Sequence, residues 1–330
     1  MENGRVADVF GSLSMGYFVA GARNLAGWKR FGSEAMGLHL AHESQDHLGF
    51  RLDEHARRII IEHSDVDDVI ALGWQLDNQI VLDIVLERLK ARGVTVEFVQ
   101  GDRASERGVA WFHRFVGPKG LLIELFVEPL TESDPLQILS SGFKIGSAGL
   151  GHISVMSRER DRTIAFWREV FDARLSDRIE ISSGKRVALD VTFLRINERH
   201  HSVAIAATRG PRIDMFPTRV QHFNIEVATL DDLTTTFERC QQMGYKISRN
   251  IGRHPNDKEL SFYLPSPSGF DMEIGWDALV VDEAQWRSES VYDRMSNWGH
   301  EIPGTFSTEL GFRHVVHGIK SLGREEFLPW

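Results

Sequence analysis

Gly252-Arg253-His254-Pro255-Asn256-Asp257, Leu260-Ser261-Phe262-Tyr263-Leu264 and Pro267-Ser268-Gly269-Phe270-Asp271-Met272-Glu273 set a His, a Tyr and a Glu among Gly and Pro punctuation. Leu260–Leu264 and Phe270–Trp276 read as short strands joined by a turn over Pro265–Gly269. Alternation puts Phe270, Met272 and Ile274 on one face of the second strand, with Asp271 and Glu273 on the other. A carboxylate between large apolar neighbours is costly unless a positive charge meets it. A metal ion or an Arg would serve.

The same stretch resembles the signature of the type I extradiol ring-cleavage dioxygenases. The matching positions are Gly252, His254, Phe262-Tyr263, Ser266-Pro267, Gly269 and Glu273. Ser266 departs mildly from the residue usual there. The resemblance implies an α+β fold of the vicinal-oxygen-chelate type: two domains, each of two βαβββ modules, with a curved mixed sheet around a cavity. It also implies cleavage of a catechol ring with both atoms of O2 inserted, on Fe(II), with Mn(II) as the alternative metal.

Internal repetition supports two related halves. Glu87-Arg88 and Glu238-Arg239 lie 151 positions apart, as do Gly93 and Gly244, and Gly101 and Gly252. Pro118-Lys119-Gly120-Leu121-Leu122-Ile123-Glu124 echoes Pro267 to Glu273 at an offset of 149. The expected division is residues 1–135 and 136–330, with Pro129–Gly146 as a linker. Strand-then-helix order recurs: Met15–Ala20 before Leu25–Phe31, Val69–Leu76 before Gln79–Arg92, Gly151–Ser157 before Asp161–Phe171, and Phe223–Val227 before Asp231–Met243. Helices separated by several short strands indicate α+β rather than a doubly wound sheet. Thr229-Leu230-Asp231 offers N-cap residues, and Gly93 and Gly244 close their helices. Beyond Trp276 no strong periodicity is read, so the tail is expected to be a peripheral extension at a subunit contact of a homo-oligomer.

His152 opens one strand on the face of Ser154; His222 opens another on the face of Asn224 and Glu226. Either histidine alone reads as an ordinary core or edge residue. Together with Glu273 they form two imidazoles and a carboxylate from three strands, the ligand type of a non-heme Fe(II) site with open positions. At the repeat offset His222 corresponds to Ala71, and Met15–Val19 contains no histidine, so only Glu124 persists in the first half. The resemblance assigns His152, His222 and Glu273 as metal ligands. It also implies His201 as acid–base (with His200 as the fallback), His254 and Tyr263 as catalytic and substrate-binding donors, Asp257 as their support and Asn256 as pocket wall. Phe193, Ile205 and Met215 are candidate walls for a hydrophobic substituent, as on 2,3-dihydroxybiphenyl.

Composition sets the outer limits. The 330 residues carry a net charge of −9, which disfavours nucleic-acid or membrane-surface binding. The single Cys240 excludes an internal disulfide framework and fits a reducing cytoplasm. No apolar run spans a membrane, and the N-terminus lacks a basic-then-apolar leader pattern. His42-Glu43-Ser44-Gln45-Asp46-His47 spaces its histidines five apart, wrong for one helix face. Gly149-Leu150-Gly151 is too short for a dinucleotide fingerprint, and Arg158–Arg162 mixes charge signs. A metal-dependent isomerase on the same scaffold is disfavoured by His254 and Tyr263. A non-catalytic aromatic-binding protein is disfavoured by the complete ligand set.

Overall fold

The computed structural model describes residues 8–182, 188–304 and 306–330. The start of the chain, on which the leader expectation rests, lies largely outside the described residues. Four successive modules follow one plan. The first runs β1 (Leu13–Ala22), α1 (Leu25–Arg30), β2 (His39–Glu43), β3 (His47–Arg51) and β4 (Ile59–His63). The second runs β5 (Asp68–Leu76), α2 (Gln79–Ala91), β6 (Glu97–Gln100), a single-turn α3 (Asp102–Ser105), β7 (Trp111–Val116) and β8 (Leu122–Phe126). The third runs β9 (Ile153–Met156), α4 (Arg160–Phe171), β10 (Arg174–Ile181), β11 (Ala188–Arg195) and β12 (Val203–Arg209). The fourth runs β13 (His222–Glu226), α5 (Leu230–Gln242), β14 (Arg249–Arg253), β15 (Leu260–Pro265) and β16 (Asp271–Trp276).

Local chemistry explains the helix limits. Thr229 Oγ1 accepts the Asp232 N–H while the Asp232 carboxylate accepts the Thr229 N–H, a reciprocal cap that starts α5. Asn78 Oδ1 accepts the Val81 N–H at the start of α2. Gly93 and Gly244, both at positive φ, stand just past the ends of these helices.

Modules one and two form an eight-stranded sheet in the order β2-β3-β4-β1-β5-β8-β7-β6, joined by antiparallel β1 and β5. Modules three and four repeat this around antiparallel β9 and β13. One apolar core spans both sheets together with α1, α2, α4 and α5. Phe18 meets Phe223 at 4.1 Å between ring centroids, and Trp74 meets Trp167 at 5.4 Å. Polar ties across this junction are Trp28 Nε1 donating to Ser268 Oγ (2.7 Å) and Arg219 pairing with Asp68 (3.1 Å). The other faces differ. In the first sheet Tyr17, Val19, Ala71, Phe112 and Phe126 fill the inner face. In the second the inner face lines a cavity of about 240 Å³.

The expectation of a peripheral tail is corrected by the structure. Val291–Tyr292 (β17) pairs with β10 at one rim of the second sheet, and Trp298–Gly299 (β18) pairs with β14 at the other. The segment between them is a strap joining both rims, and Met295, Ser296 and His300 of this region line the cavity. Phe306–Ser321 forms a helix, α6, whose His314 also lines the cavity. Apolar residues on its exposed side, Phe312, Val315 and Ile319, mask its period in the sequence. No helix among the described residues is long and apolar enough to cross a membrane.

Candidate metal centre

Strand parity builds the centre. Met272 and Ile274 of β16, with Phe270 just ahead of it, face the core, and Glu273 faces the cavity, buried to 1% exposure. In β13, Phe223 and Ile225 face the core, while His222 faces the cavity. His152 sits one residue ahead of β9, beside His222, because Ser154 and His222 are register partners. Three side chains from three adjacent strands therefore converge. His152 Nε2 and His222 Nε2 lie 3.0 and 3.2 Å from Glu273 Oε2, and 3.2 Å from each other.

These spacings suit a cation. Ligand atoms about 2.1 Å from a metal and at right angles to one another stand about 3.0 Å apart. Glu273 Oε2 is buried and has no hydrogen-bond partner among the described residues despite two imidazole nitrogens within reach, an orphaned polar atom that a metal would satisfy. His222 Nδ1 is hydrogen-bonded to Gln221 Oε1, which directs Nε2 toward the cluster. Burial first, with His254 and Arg249 adding to it, pushes His222 down to about 3 against the pull of Glu273. The ring is thus neutral, as a ligand requires.

The surrounding donors come from the stretch 254–263. Tyr263 Oη lies 2.8 Å from His254 Nε2, which is 3.3 Å from Glu273 Oε1. His254 Nδ1 donates to the Met295 carbonyl of the strap (2.8 Å). Burial would lower His254, but Glu273 and Asp257 raise it to about 9. Burial and Glu273 hold the Tyr263 hydroxyl well above its usual range, so it keeps its proton. His300 lies against His254 with centroids 4.4 Å apart. Gly252 permits this approach, since a Cβ there would stand 2.5 Å from the His300 nitrogen.

His201 lines the cavity with its ring 3.9 Å from that of His152, whereas His200 lies behind it, with Nε2 3.0 Å from Asp177 Oδ2. His200 Nδ1 and His201 Nδ1 are 3.1 Å apart. Burial first, then His152 and His200, holds His201 well below the usual imidazole range. Asn256 Nδ2 donates to Asp177 Oδ1 (3.2 Å), and Asp257 Oδ2 lies 3.8 Å from His201 Nδ1. Phe193 and Met215 line the cavity as expected. Ile205 does not: it is fully buried in the core, and Ala204 and Ala206 form that wall. The strand begins only at Val203, so the parity counted from His201 does not carry into it. Sequence reasoning missed Asp177, Gln221, Met295 and His300, whose roles depend on contacts distant in the chain.

Two stretches match family models: residues 149–274 the Glyoxalase/Bleomycin resistance protein/Dioxygenase superfamily, and residues 15–63 the Dihydroxybiphenyl dioxygenase BphC D1 model. The chain is 35% identical to a biphenyl-2,3-diol 1,2-dioxygenase of Metapseudomonas furukawaii over 297 residues, covering 87% of this chain and 93% of the relative. The chain belongs to the type I extradiol dioxygenases. An iron-dependent extradiol dioxygenase of Rhodococcus jostii (strain RHA1) is 28% identical, over 88% of this chain and 97% of its own. Among solved structures, BphC, a halotolerant catechol dioxygenase, superposes with a TM-score of 0.79 at 31% identity, over 88% of this chain and 95% of its own.

Within this extradiol dioxygenase the first sheet holds a counterpart of the centre. Ala71 pairs with Val19 as His222 pairs with Ser154, and Leu72 with Phe18 as Phe223 with Ile153, so Tyr17 occupies the place of His152. Glu124 pairs with Gly73 as Glu273 pairs with Asn224. Glu124 is fully buried, accepts from Tyr17 Oη (2.7 Å) and pairs with Arg107 Nε (2.9 Å). A guanidinium meets the carboxylate in one half. In the other, the carboxylate faces two imidazoles.

Proposed function

We propose that this dioxygenase cleaves a catechol ring beside its paired hydroxyls, with both atoms of O2 entering the ring-opened product. The observation that carries the reading is the orphaned Glu273 Oε2 between His152 and His222, at the wall of a cavity that also presents His201, His254 and Tyr263. His152, His222 and Glu273 would hold Fe(II), which supplies the electron transfer between diol and O2. No external reductant is needed, because the substrate provides the electrons.

The chain's own side chains do the rest. With a proton on Nε2 toward Asp177, His200 Nδ1 accepts from the His201 Nδ1–H, which leaves His201 Nε2 as the base. His201 takes the proton of a substrate hydroxyl and returns it as the ring opens. His254, its Nδ1 held by the Met295 carbonyl, sets Nε2 2.8 Å from Tyr263 Oη and so orients that hydroxyl toward a substrate oxygen. Phe193, Val191 and Met215 exclude water and seat the ring of a substituted or bicyclic catechol such as 2,3-dihydroxybiphenyl.

Anaerobic loading with Fe(II), followed by O2 uptake and product absorbance on a panel of catechols, tests the reading. The expected result is ring-opened product at one O2 per catechol. Retained iron with no O2 uptake on any catechol would overturn it. Replacing His201 with Ala is expected to lower kcat by about 10²–10⁴. Iron content should be unchanged, and a loss of iron in that variant would deny the acid–base role.

A further inference from the structure

The helix α6 is built inside out. Its inward side carries small and polar groups. His314 packs on Phe216 at the cavity wall, with centroids 5.0 Å apart, and Gly318 rests on Ile213. Ser321 Oγ accepts the Asp214 N–H (2.9 Å) and donates to the Gly318 carbonyl (2.7 Å). The outward side carries Phe312, Val315 and Ile319, and Leu322 follows one residue past the helix end. Each of these four is between 60% and 71% exposed. A surface helix ordinarily turns its apolar stripe inward. This one cannot roll over without withdrawing His314 from the cavity and Ser321 from Asp214.

The stripe has the geometry of a helix-pairing seam. Phe312, Val315, Ile319 and Leu322 follow one another at intervals of three, four and three. At 3.6 residues per turn this confines them to about 80° of the circumference. A helix packed on another helix shows such a narrow seam, whereas one lying on a broad core shows a wider face. The charged residues Glu309, Arg313 and Lys320 all fall outside that arc. The intervals also read the same from either end. With two copies set antiparallel about the level of His317, Phe312 of each meets Leu322 of the other, and Val315 meets Ile319. One two-fold axis thus covers all four residues at once. The four expose roughly 400 Å² of apolar surface, among the larger patches found on monomers. Two such seams with their polar margins bury about 1,000 Å², the least that a specific interface needs.

We propose that the outer face of α6 is a self-association surface, on which a second copy of this chain seats its own α6 in antiparallel two-fold contact. The helix lies outside both stretches that match family models. A lipid surface suits the stripe less well. The net charge of −9 opposes anionic headgroups, and α6 offers only Arg313 and Lys320 as cations beside its apolar residues. The pairing also holds α6 in place from outside, with His314 on its other side at the cavity wall.

Sedimentation velocity of the full chain over a wide concentration range tests this. The wild type should assemble, and Ile319→Glu should halve the assembled mass where the wild type is saturated. Phe312→Glu should do the same, each variant weakening the contact by about 100-fold or more through a charge at the seam. Circular dichroism should be unchanged, since both positions are exposed in the single chain. Cross-linking adds a readout that needs no charged variant. The chain's one cysteine, Cys240, is buried, so introduced thiols report alone. An equal mixture of Val315→Cys and Ile319→Cys chains should form the mixed disulfide faster than either chain forms a like pair. A wild type that stays single at every concentration, or a mass unmoved in both Glu variants, would overturn the proposal. So would faster cross-linking between like cysteines, or a single-copy chain that binds phosphatidylcholine–phosphatidylglycerol vesicles through these residues.

Discussion

Glu273→Gln is expected to abolish iron retention and, with it, turnover. The substitution keeps the shape and removes the only carboxylate of the cluster, leaving two neutral imidazoles to hold a dication. Loss of an outer partner of a metal ligand already costs about 10- to 100-fold in affinity, and loss of a ligand's charge should exceed that. Metal content after gel filtration measures the effect. A second outcome separates it from misfolding. In the metal-free state Glu273 Oε1 also faces His254 at 3.3 Å, and against burial the surrounding imidazoles hold its carboxyl well below the usual range, so the amide variant should stay folded but lose some apo stability. The wild type should gain thermal stability on adding Fe(II), and the variant should not. A Glu273→Gln protein that holds iron like the wild type would dismiss this cluster as the metal centre.

The second large effect belongs to the half without the imidazoles. Arg107→Met removes the cation that meets Glu124, a carboxylate with no exposure. Breaking a buried pair by deleting one partner typically costs about 3–5 kcal/mol, because the remaining charge is stranded. Chemical denaturation should show a loss of that size. Adding Glu124→Gln should restore most of it, since the stranded charge goes too. Iron content should stay near wild type in both variants, because the cluster around Glu273 lies in the other sheet. An Arg107→Met protein as stable as the wild type would show that the Arg107–Glu124 pair does not hold this half together.

Much of this arrangement could be read in the chain before any fold was known. Alternation around Glu273 set a carboxylate apart from Phe270, Met272 and Ile274, and the structure keeps that separation. The repeat offset pointed to Ala71 as the counterpart of His222, and the paired registers of β1 with β5 and β9 with β13 reproduce it. What stayed hidden was whatever depended on distant partners. Asp177 reaches His200 across 23 positions, and Met295 reaches His254 across 41; nothing local in either residue announces this. The replacement of His152 by Tyr17 required strand registers, since no sequence offset aligns those two short strands unaided. Ile205 faces the core rather than the cavity because strand parity holds only inside the strand, and His201 lies ahead of it. The helix of the tail is hard to read from sequence because α6 carries exposed apolar residues, Phe312, Val315 and Ile319, that blur its period.

The strap from Val291 to Gly299 bears on how this protein ages. Fibril growth recruits long, bare backbone edges as templates, and here each end of the larger sheet is finished by only a two-residue strand of one continuous segment. Exposing a usable template therefore means peeling that segment away, which also withdraws the Met295 carbonyl from His254. Stored enzyme should accordingly fall silent before it turns turbid, with the interval between the two marking how long the peeled form survives unassociated.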